Sequence, residues 1–256
     1  MIKKFFFALA AYVSVYSVTS CKKDDDNKDE LDVYVDIPLE QRNALDDEAI
    51  QQYLAKYYFH PTNGKLTAKD TIVGTNPTTG INDDEYPTLD NFAQRDEKGI
   101  WYAINPNVQA EGNSITSNKN DSILISYDNY IFRATDNKNY KYKFGQVRLF
   151  SSTTERGVPV YDPVFYHVNL TDEQIKSGFK EEYYVLENFV EGLKHFKATN
   201  RSSSDLYHMQ GVIILPSRLA YARRKVWDGN YLNDQIYRDY SFVFSFELNK
   251  IIPRKK

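Results

Sequence analysis

The sequence predicts a β-rich α+β fold, on three observations. The 256 residues include 21 tyrosines and 15 phenylalanines, many alternating with polar residues, a usage that suits pleated sheets better than helical bundles. Phe242, Phe244, Phe246 and Leu248 keep the period-two pattern of a strand with one buried face. Val185, Leu186, Phe189, Leu193 and Phe196 recur at helical spacing and make one apolar helix for a sheet to pack on. At 41% hydrophobic and 26% charged residues, the chain can bury one proper core with attachments.

The first twenty residues are set apart from fold reasoning. Lys3 and Lys4 precede an apolar stretch from Phe5 to Val18, the length of a signal-peptide core and shorter than the roughly 20 residues a spanning helix needs. The V-T-S-C ending at Cys21 resembles a bacterial lipobox, which implies that Cys21 is diacylated and anchors the chain in a membrane; two or more acyl chains make such an anchor stable. The alternative is a secreted protein with a spare thiol. Cys21 is the sole cysteine, so no intramolecular disulfide is available. Lys22, Lys23, Asp24, Asp25 and Asp26 resemble the surface-export signal of lipoproteins in Bacteroidetes-type bacteria. Read without that resemblance, they are a solvated tether. Together these readings predict a cell-envelope lipoprotein at the outer membrane, surface-exposed if the run is an export signal.

Four regions follow: a signal peptide at 1–20, an acylated cysteine and tether at 21–40, a helix with a loop-rich extension at 41–97, and the main domain at 98–256. The helix is placed near 46–58. Asp46, Asp47 and Glu48 load its first turn with the charge that the helix dipole favours. Ile50, Tyr53, Leu54 and Tyr57 form its apolar face, and Pro61 ends it. That face packs on the following domain or on a partner. His60 to Arg95 reads as loops.

In the main domain, Ile100, Tyr102 and Ile104 alternate with Trp101 and Ala103 as a strand. Ser122 to Tyr127 is a second strand, with Ile123, Ile125 and Tyr127 on one face. Leu149, Phe150, Ser151 and Ser152 end a third. Gly211 to Leu215 is a buried-type strand closed by Pro216, and the Phe242–Leu248 strand comes last.

The blocks EGLKHF (from Glu191), ILPSRLAY (from Ile214) and FVFSFELNKI (from Phe242) stand in the order and spacing of the C-terminal half of an FK506-binding-protein (FKBP) type peptidyl-prolyl cis-trans isomerase. The resemblance covers Gly99 to Ile251. It implies an FKBP-like antiparallel sheet wrapped around one short helix, with an N-terminal helical and loop extension. It implies a pocket lined by Tyr127, Phe150, Val185, Leu186, Phe189, Tyr221 and Phe244, with proline-containing polypeptide segments as substrates. Tyr221 would donate its hydroxyl to a substrate carbonyl; on residue type alone it would as readily satisfy a loop carbonyl. Phe189 stands where the best-known members have tryptophan. Pro163, Val164 and Phe165 resemble a short pocket-wall strand, with either Val164 or Phe165 pointing in. Three departures bear on turnover: Ser151 stands at the position of the family's aspartate, Ala222 follows Tyr221 where a glycine is usual, and the Ile-Pro-Pro turn is missing.

Such a site needs no cofactor. An X-Pro bond rotates over about 18 to 20 kcal/mol because amide resonance must break. An apolar site disfavours the charge-separated planar amide more than the twisted one, and hydrogen bonds that align only in the twisted geometry add differential binding. Other chemistries lack their residues. His60, His167, His195 and His208 show no paired zinc spacing, and there is no glycine-rich phosphate loop or nucleophile elbow. Loss of residues 1–20 with Lys3 and Lys4 moves the formal charge from -3 to -5, against a nucleic-acid partner. The sequence therefore predicts an envelope-anchored isomerase or folding assistant. Its alternatives are a catalytically weak or inactive FKBP-like binding lipoprotein and an envelope protein of unrelated β-rich fold.

Overall fold

The computed structural model describes residues 34–254 apart from 109, 156, 203 and 204. The expectations for Lys3, Lys4, Phe5–Val18, Cys21 and Lys22–Asp26 lie outside the described residues. The chain divides into two units, Met1–Asp36 and Ile37–Lys256. Of the first, only 34–36 are described, without regular secondary structure.

The second unit opens with helix α1 (Leu39–Lys56), followed by β1 (Tyr57–Phe59), β2 (Leu66–Ala68), β3 (Gln94–Arg95), β4 (Trp101–Ile104), β5 (Asp121–Arg133), β6 (Arg148–Ser152) and β7 (Val160–Tyr161). Then come α2 (Asp172–Lys176), α3 (Glu187–Leu193), β8 (Gly211–Leu215), β9 (Val226–Trp227), β10 (Leu232–Asn233) and β11 (Tyr240–Pro253). Seven strands make one antiparallel sheet in the order β3-β4-β8-β11-β5-β6, with β7 on β5. Strand β11 is its spine: it pairs with β5 from Tyr240 opposite Arg133 to Pro253 opposite Asp121, and with β8 on its other side.

Each face of this sheet carries its own core, because alternate residues of a strand point to opposite sides. One face gathers Ile123 and Ile125 of β5, Ile213 and Leu215 of β8, and Phe242, Phe244, Phe246 and Leu248 of β11 against Phe189, Val190 and Leu193 of α3. Helix α3 sits close to β8 because residue 192 is glycine; a Cβ there would lie 2.9 Å from Ile213 Cγ2. The other face gathers Phe132, Val212, Ile214 and Val243 against Leu45, Ala49, Ile50, Tyr53 and Leu54 of α1. The apolar face of α1 thus packs on the sheet.

Helix α1 begins at Leu39, one turn and more before the expected start, with Pro38 as its N-cap residue in an extended conformation. The Leu39–Leu45 stretch holds good helix formers, and its inward positions are Arg42 and Leu45. Asp46, expected in the first turn, is consequently mid-helix and fully buried. The C-terminus also moves: the chain turns extended at Tyr57 to pair with Ala68, well before Pro61. Tyr57 still meets the helix stripe, its ring 4.1 Å from that of Tyr53. The region expected as loops holds β1, β2, β3 and two 3-10 turns, and Leu89 of one turn is buried beneath α1. Helix α3 is shorter than its stripe, because Val185 and Leu186 precede it and Phe196 follows it.

If α1 is a structural layer, Ile50→Ala, at a fully buried position, will cost about 2 to 5 kcal/mol in urea unfolding. Leu39→Ala, at a largely exposed position, will stay within about 0.5 kcal/mol of the parent.

Candidate site: an aromatic nest at the mouth of the sheet

The predicted site residues come from separate stretches of chain, and the fold brings them together on the α3 side of the sheet. Leu186, Phe189, Tyr221 and Phe244 are buried in one cluster, with Tyr127 and Phe150 half-buried against it. Phe189 and Phe244 lie 4.4 Å apart by ring centroids, at the close end of the range for favourable aromatic pairs. Val185 is buried beside Leu186 in sequence but is not among the cluster's members.

Phe165 joins them. At the position left open between two neighbours, Val164 is 53% exposed and Phe165 only 2%. Phe165 stands 5.2 Å from Tyr127, 5.2 Å from Phe189 and 5.3 Å from Phe244. No strand forms at this point: Pro163 begins a turn closed by the Tyr166 N–H on the Pro163 carbonyl. Tyr237 is a further member, 5.3 Å from Phe150 and 5.6 Å from Tyr221. It lies in the rim segment whose sequence carries no periodic signal.

The register shift between β5 and β6 shapes one wall. Asn129 pairs with Ser151 and Tyr130 with Leu149, which leaves Phe150 as the extra residue of a bulge. A bulge re-aims the side chains around it. Phe150 packs 5.2 Å from Phe242, against the α3-side cluster.

Two donors at the nest are engaged within the chain. The Tyr221 hydroxyl donates to the Tyr184 carbonyl at 2.5 Å, and burial pushes its phenol well up. The Leu186 N–H donates to the Phe165 carbonyl at 2.9 Å, tying the pocket-wall turn to the start of α3. Burial also raises the Tyr237 phenol. The nest's rings are uncharged, and the Arg224 guanidinium lies 5.3 Å from the Tyr221 ring centroid.

The loop carrying Tyr221 is fastened to α1 by charge. The Ser217 N–H donates to Asp46 Oδ2 at 3.0 Å, Arg218 reaches Asp47 Oδ1 at 2.7 Å and Arg95 reaches Asp47 Oδ2 at 3.1 Å. Arg42 lies 3.9 Å from Asp46 and 3.5 Å from Asp239. Arg223 grips Asp239 through both Nε and Nη2 at 2.9 to 3.1 Å. Ala222 has φ +52 and Asp239 φ +56, and the Asp239 N–H closes the rim segment on the Ala222 carbonyl at 3.0 Å. Ala222 thus holds the left-handed conformation that glycine favours.

Elsewhere, a cleft of about 340 Å³ is lined by Gln52, Ala55, Lys56, Lys141 and Tyr142, none of them a nest residue. Among the described residues, no three His, Cys, Asp or Glu side chains are grouped to hold a metal ion.

No family model matches the chain, and no curated protein matches it. Among solved structures it is similar to FkpA from Escherichia coli, with 16% identity over 63% of this chain and 52% of that one, at a TM-score of 0.34. The chain thus spans about half the length of that protein. A peptidyl-prolyl cis-trans isomerase from Pseudomonas syringae pv. tomato gives 13% identity over 85% of this chain and 98% of that one, at 0.38. AtFKBP13 gives 15% identity over 62% and 97%, at 0.31. At such scores the reading of the nest rests on its own geometry.

Two outcomes test the loop's fastening. Burial pushes the Asp46 carboxyl up from 3.8 to about 6, against the opposing pull of Ser217, Arg42 and Arg218. A raised folded pKa makes the native state bind more protons, so this group's contribution is full below about pH 4 and is lost as pH rises through about 6. Asp46→Asn, which holds no titrating proton, will therefore gain stability relative to the parent between those values, by up to about 3 kcal/mol in urea unfolding. Ala222→Gly will raise stability by about 0.5 to 1 kcal/mol by relieving the left-handed alanine.

Proposed function

We propose that the chain is a peptidyl-prolyl cis-trans isomerase or folding assistant whose substrates are proline-containing segments of other polypeptides. The observation that carries this is the convergence of Tyr127, Phe150, Leu186, Phe189, Tyr221 and Phe244 on one aromatic cluster at the α3 face of the sheet. These residues act as shape and dielectric. A proline ring seated among Phe165, Phe189 and Phe244 would place its imide bond in surroundings that solvate the planar, charge-separated amide poorly. The twisted transition state has less charge separation and loses less. Tyr221, hinging from Tyr184 to a substrate carbonyl, would add a hydrogen bond made best in the twisted geometry.

A second reading has its own observation. Val185, Leu186, Phe189, Tyr221 and Phe244 are all buried, and the Tyr221 hydroxyl and Leu186 N–H are both engaged internally. That closure, with Ser151 in place of an aspartate, favours a module that binds an apolar segment with little turnover.

The proposal extends to location: a lipoprotein acylated on Cys21 and held at the outer membrane, with Lys22–Asp26 directing it to the cell surface. Among the described residues no helix is long and apolar enough to cross a membrane. Protease shaving of intact cells should remove the protein, and protection would count against surface exposure.

A protease-coupled isomerisation assay on the chain from Cys21 onward separates the two readings. The isomerase will exceed the uncatalysed rate, and Tyr221→Phe will lower kcat/KM about fivefold to tenfold, the net worth of one hydrogen bond. A folded protein that leaves the rate at the uncatalysed control sinks the enzyme; retained peptide binding would then leave the binding module.

A further inference from the structure

Asn129 is fully buried at 0% exposure, yet its Oδ1 has no hydrogen-bond partner among the described residues. Its Nδ2 reaches Ser151 Oγ only at 3.5 Å. Alternation along β5 puts Asn129 on the same face as Tyr127 and Ile131, the face toward α3. Phe244 is its direct partner on β11 and Ser151 its partner on β6. A nearly unsatisfied carboxamide therefore stands in the wall of the aromatic nest.

That placement is costly. A buried amide end without a partner destabilises the fold by about 1 to 3 kcal/mol, and a leucine, with the same branching, would carry no such group. The Tyr221 hydroxyl and the Leu186 N–H at the same nest are satisfied within the chain, so Asn129 differs from them in having spare capacity for both a donor and an acceptor. The side of the nest beside it is not fully closed: Tyr127, Phe150 and Ser151 are half-buried, as is Tyr237 next to Phe150.

We propose that Asn129 is the substrate-contacting polar residue of the nest, reading the peptide groups that flank the proline. This rests on the isomerase reading and deepens it. Proline has no N–H, so an X-Pro-Y segment offers the carbonyls of X and Pro and the N–H groups of X and Y. A carboxamide matches both kinds: Nδ2 donates to a carbonyl while Oδ1 accepts a flanking N–H. Asn129, with Ser151 beside it, thus supplies neutral hydrogen bonds at the place where Ser151 leaves the site without a carboxylate. The substrate class that fits is an uncharged, extended X-Pro segment entering past Tyr127 and Phe150.

The test uses the chain from Cys21 onward and a chromogenic Ala-Leu-Pro-Phe peptide. Asn129→Leu is expected to hold or raise the melting temperature while lowering kcat/KM at least tenfold. In the unsubstituted protein, the Asn129 side-chain amide resonances should move on titration with the peptide and saturate with the Tyr221 backbone signal. This measurement decides the matter if Asn129→Leu does not fold. Active protein with kcat/KM retained within twofold in Asn129→Leu, or with Asn129 resonances silent while Tyr221 moves, overturns this assignment and leaves the isomerase reading standing. Unsubstituted protein that neither turns over nor binds the peptide overturns both.

Discussion

From Ser241 to Asn249 strand β11 is buried on both faces, and the rest of the molecule is arranged around that constraint. Phe242, Phe244, Phe246 and Leu248 serve the α3 core, while Ser241, Val243, Ser245 and Glu247 point to the opposite side and are just as closed. A sheet with only one cover would leave Val212, Ile214, Val243 and Phe132 in water, an apolar patch that a soluble surface does not leave open. Helix α1 supplies the second cover over the apolar part. Beyond its reach the same face turns polar, and buried charge is met locally. Glu247 accepts from Thr199 Oγ1 at 2.9 Å and from the His208 N–H at 2.7 Å, with Arg201 at 3.5 Å. Asp128 takes Ser152, Thr154 and Lys65 at 2.6 to 3.1 Å. Such partners are what make a buried carboxylate tolerable.

The second cover has a consequence for the first. Asp46, Asp47 and Arg42 project from α1 to Ser217, Arg218 and Asp239, the residues that bracket the Tyr221 loop and the base of the rim segment. Buried ion pairs are poor sources of stability, since desolvation offsets most of the attraction; the raised Asp46 carboxyl records that cost. What they provide is position. Ala222 and Asp239 both hold left-handed backbone, which persists only where the surroundings over-determine it, and Arg223 on Asp239 with Arg42 behind it does so here.

Much of this fold was legible where one physical signal acted alone. The β11 and β8 strands read correctly because one-sided or continuous apolar patterns have few alternatives over five to ten residues. Strand β5 runs on to Arg133, past its expected end at Tyr127, because Asp128 and Asn129 interrupt the apolar pattern with groups whose partners lie far off in sequence. The start of α1 was hidden in the same way: Arg42 and Asp46 occupy stripe positions, and a stripe search counts only apolar residues. Of the residues that meet at the candidate site, Tyr127, Phe150, Phe189 and Phe244 lie on regular elements and Leu186 and Tyr221, named through the resemblance, lie outside them, while Phe165 stayed open and Tyr237 was not named. Both sit on irregular backbone, where period carries no information about which side chain turns inward.

Whether such a nest turns over depends on how stiff its frame is relative to its lid. Exchanging the Tyr221–Tyr184 and Leu186–Phe165 hydrogen bonds for bonds to a substrate is nearly neutral, since each is worth about 1 kcal/mol net. Parting aromatic pairs costs about 0.5 to 1.5 kcal/mol each beyond their area, and a proline ring restores much of that by occupying the same space. Opening is then affordable if it stays local. The α1 contacts hold the loop at Ser217 and Arg218, ahead of Tyr221, and the Ala222–Asp239 closure holds it just behind. Fixed at both ends, the loop can release the Tyr221 hydroxyl without surrendering the position of its ring. Differential binding of a twisted amide requires groups that do not relax to suit the planar one. In this molecule the loop ahead of Tyr221 is held from the far side of the sheet, by Asp46 and Asp47 of α1.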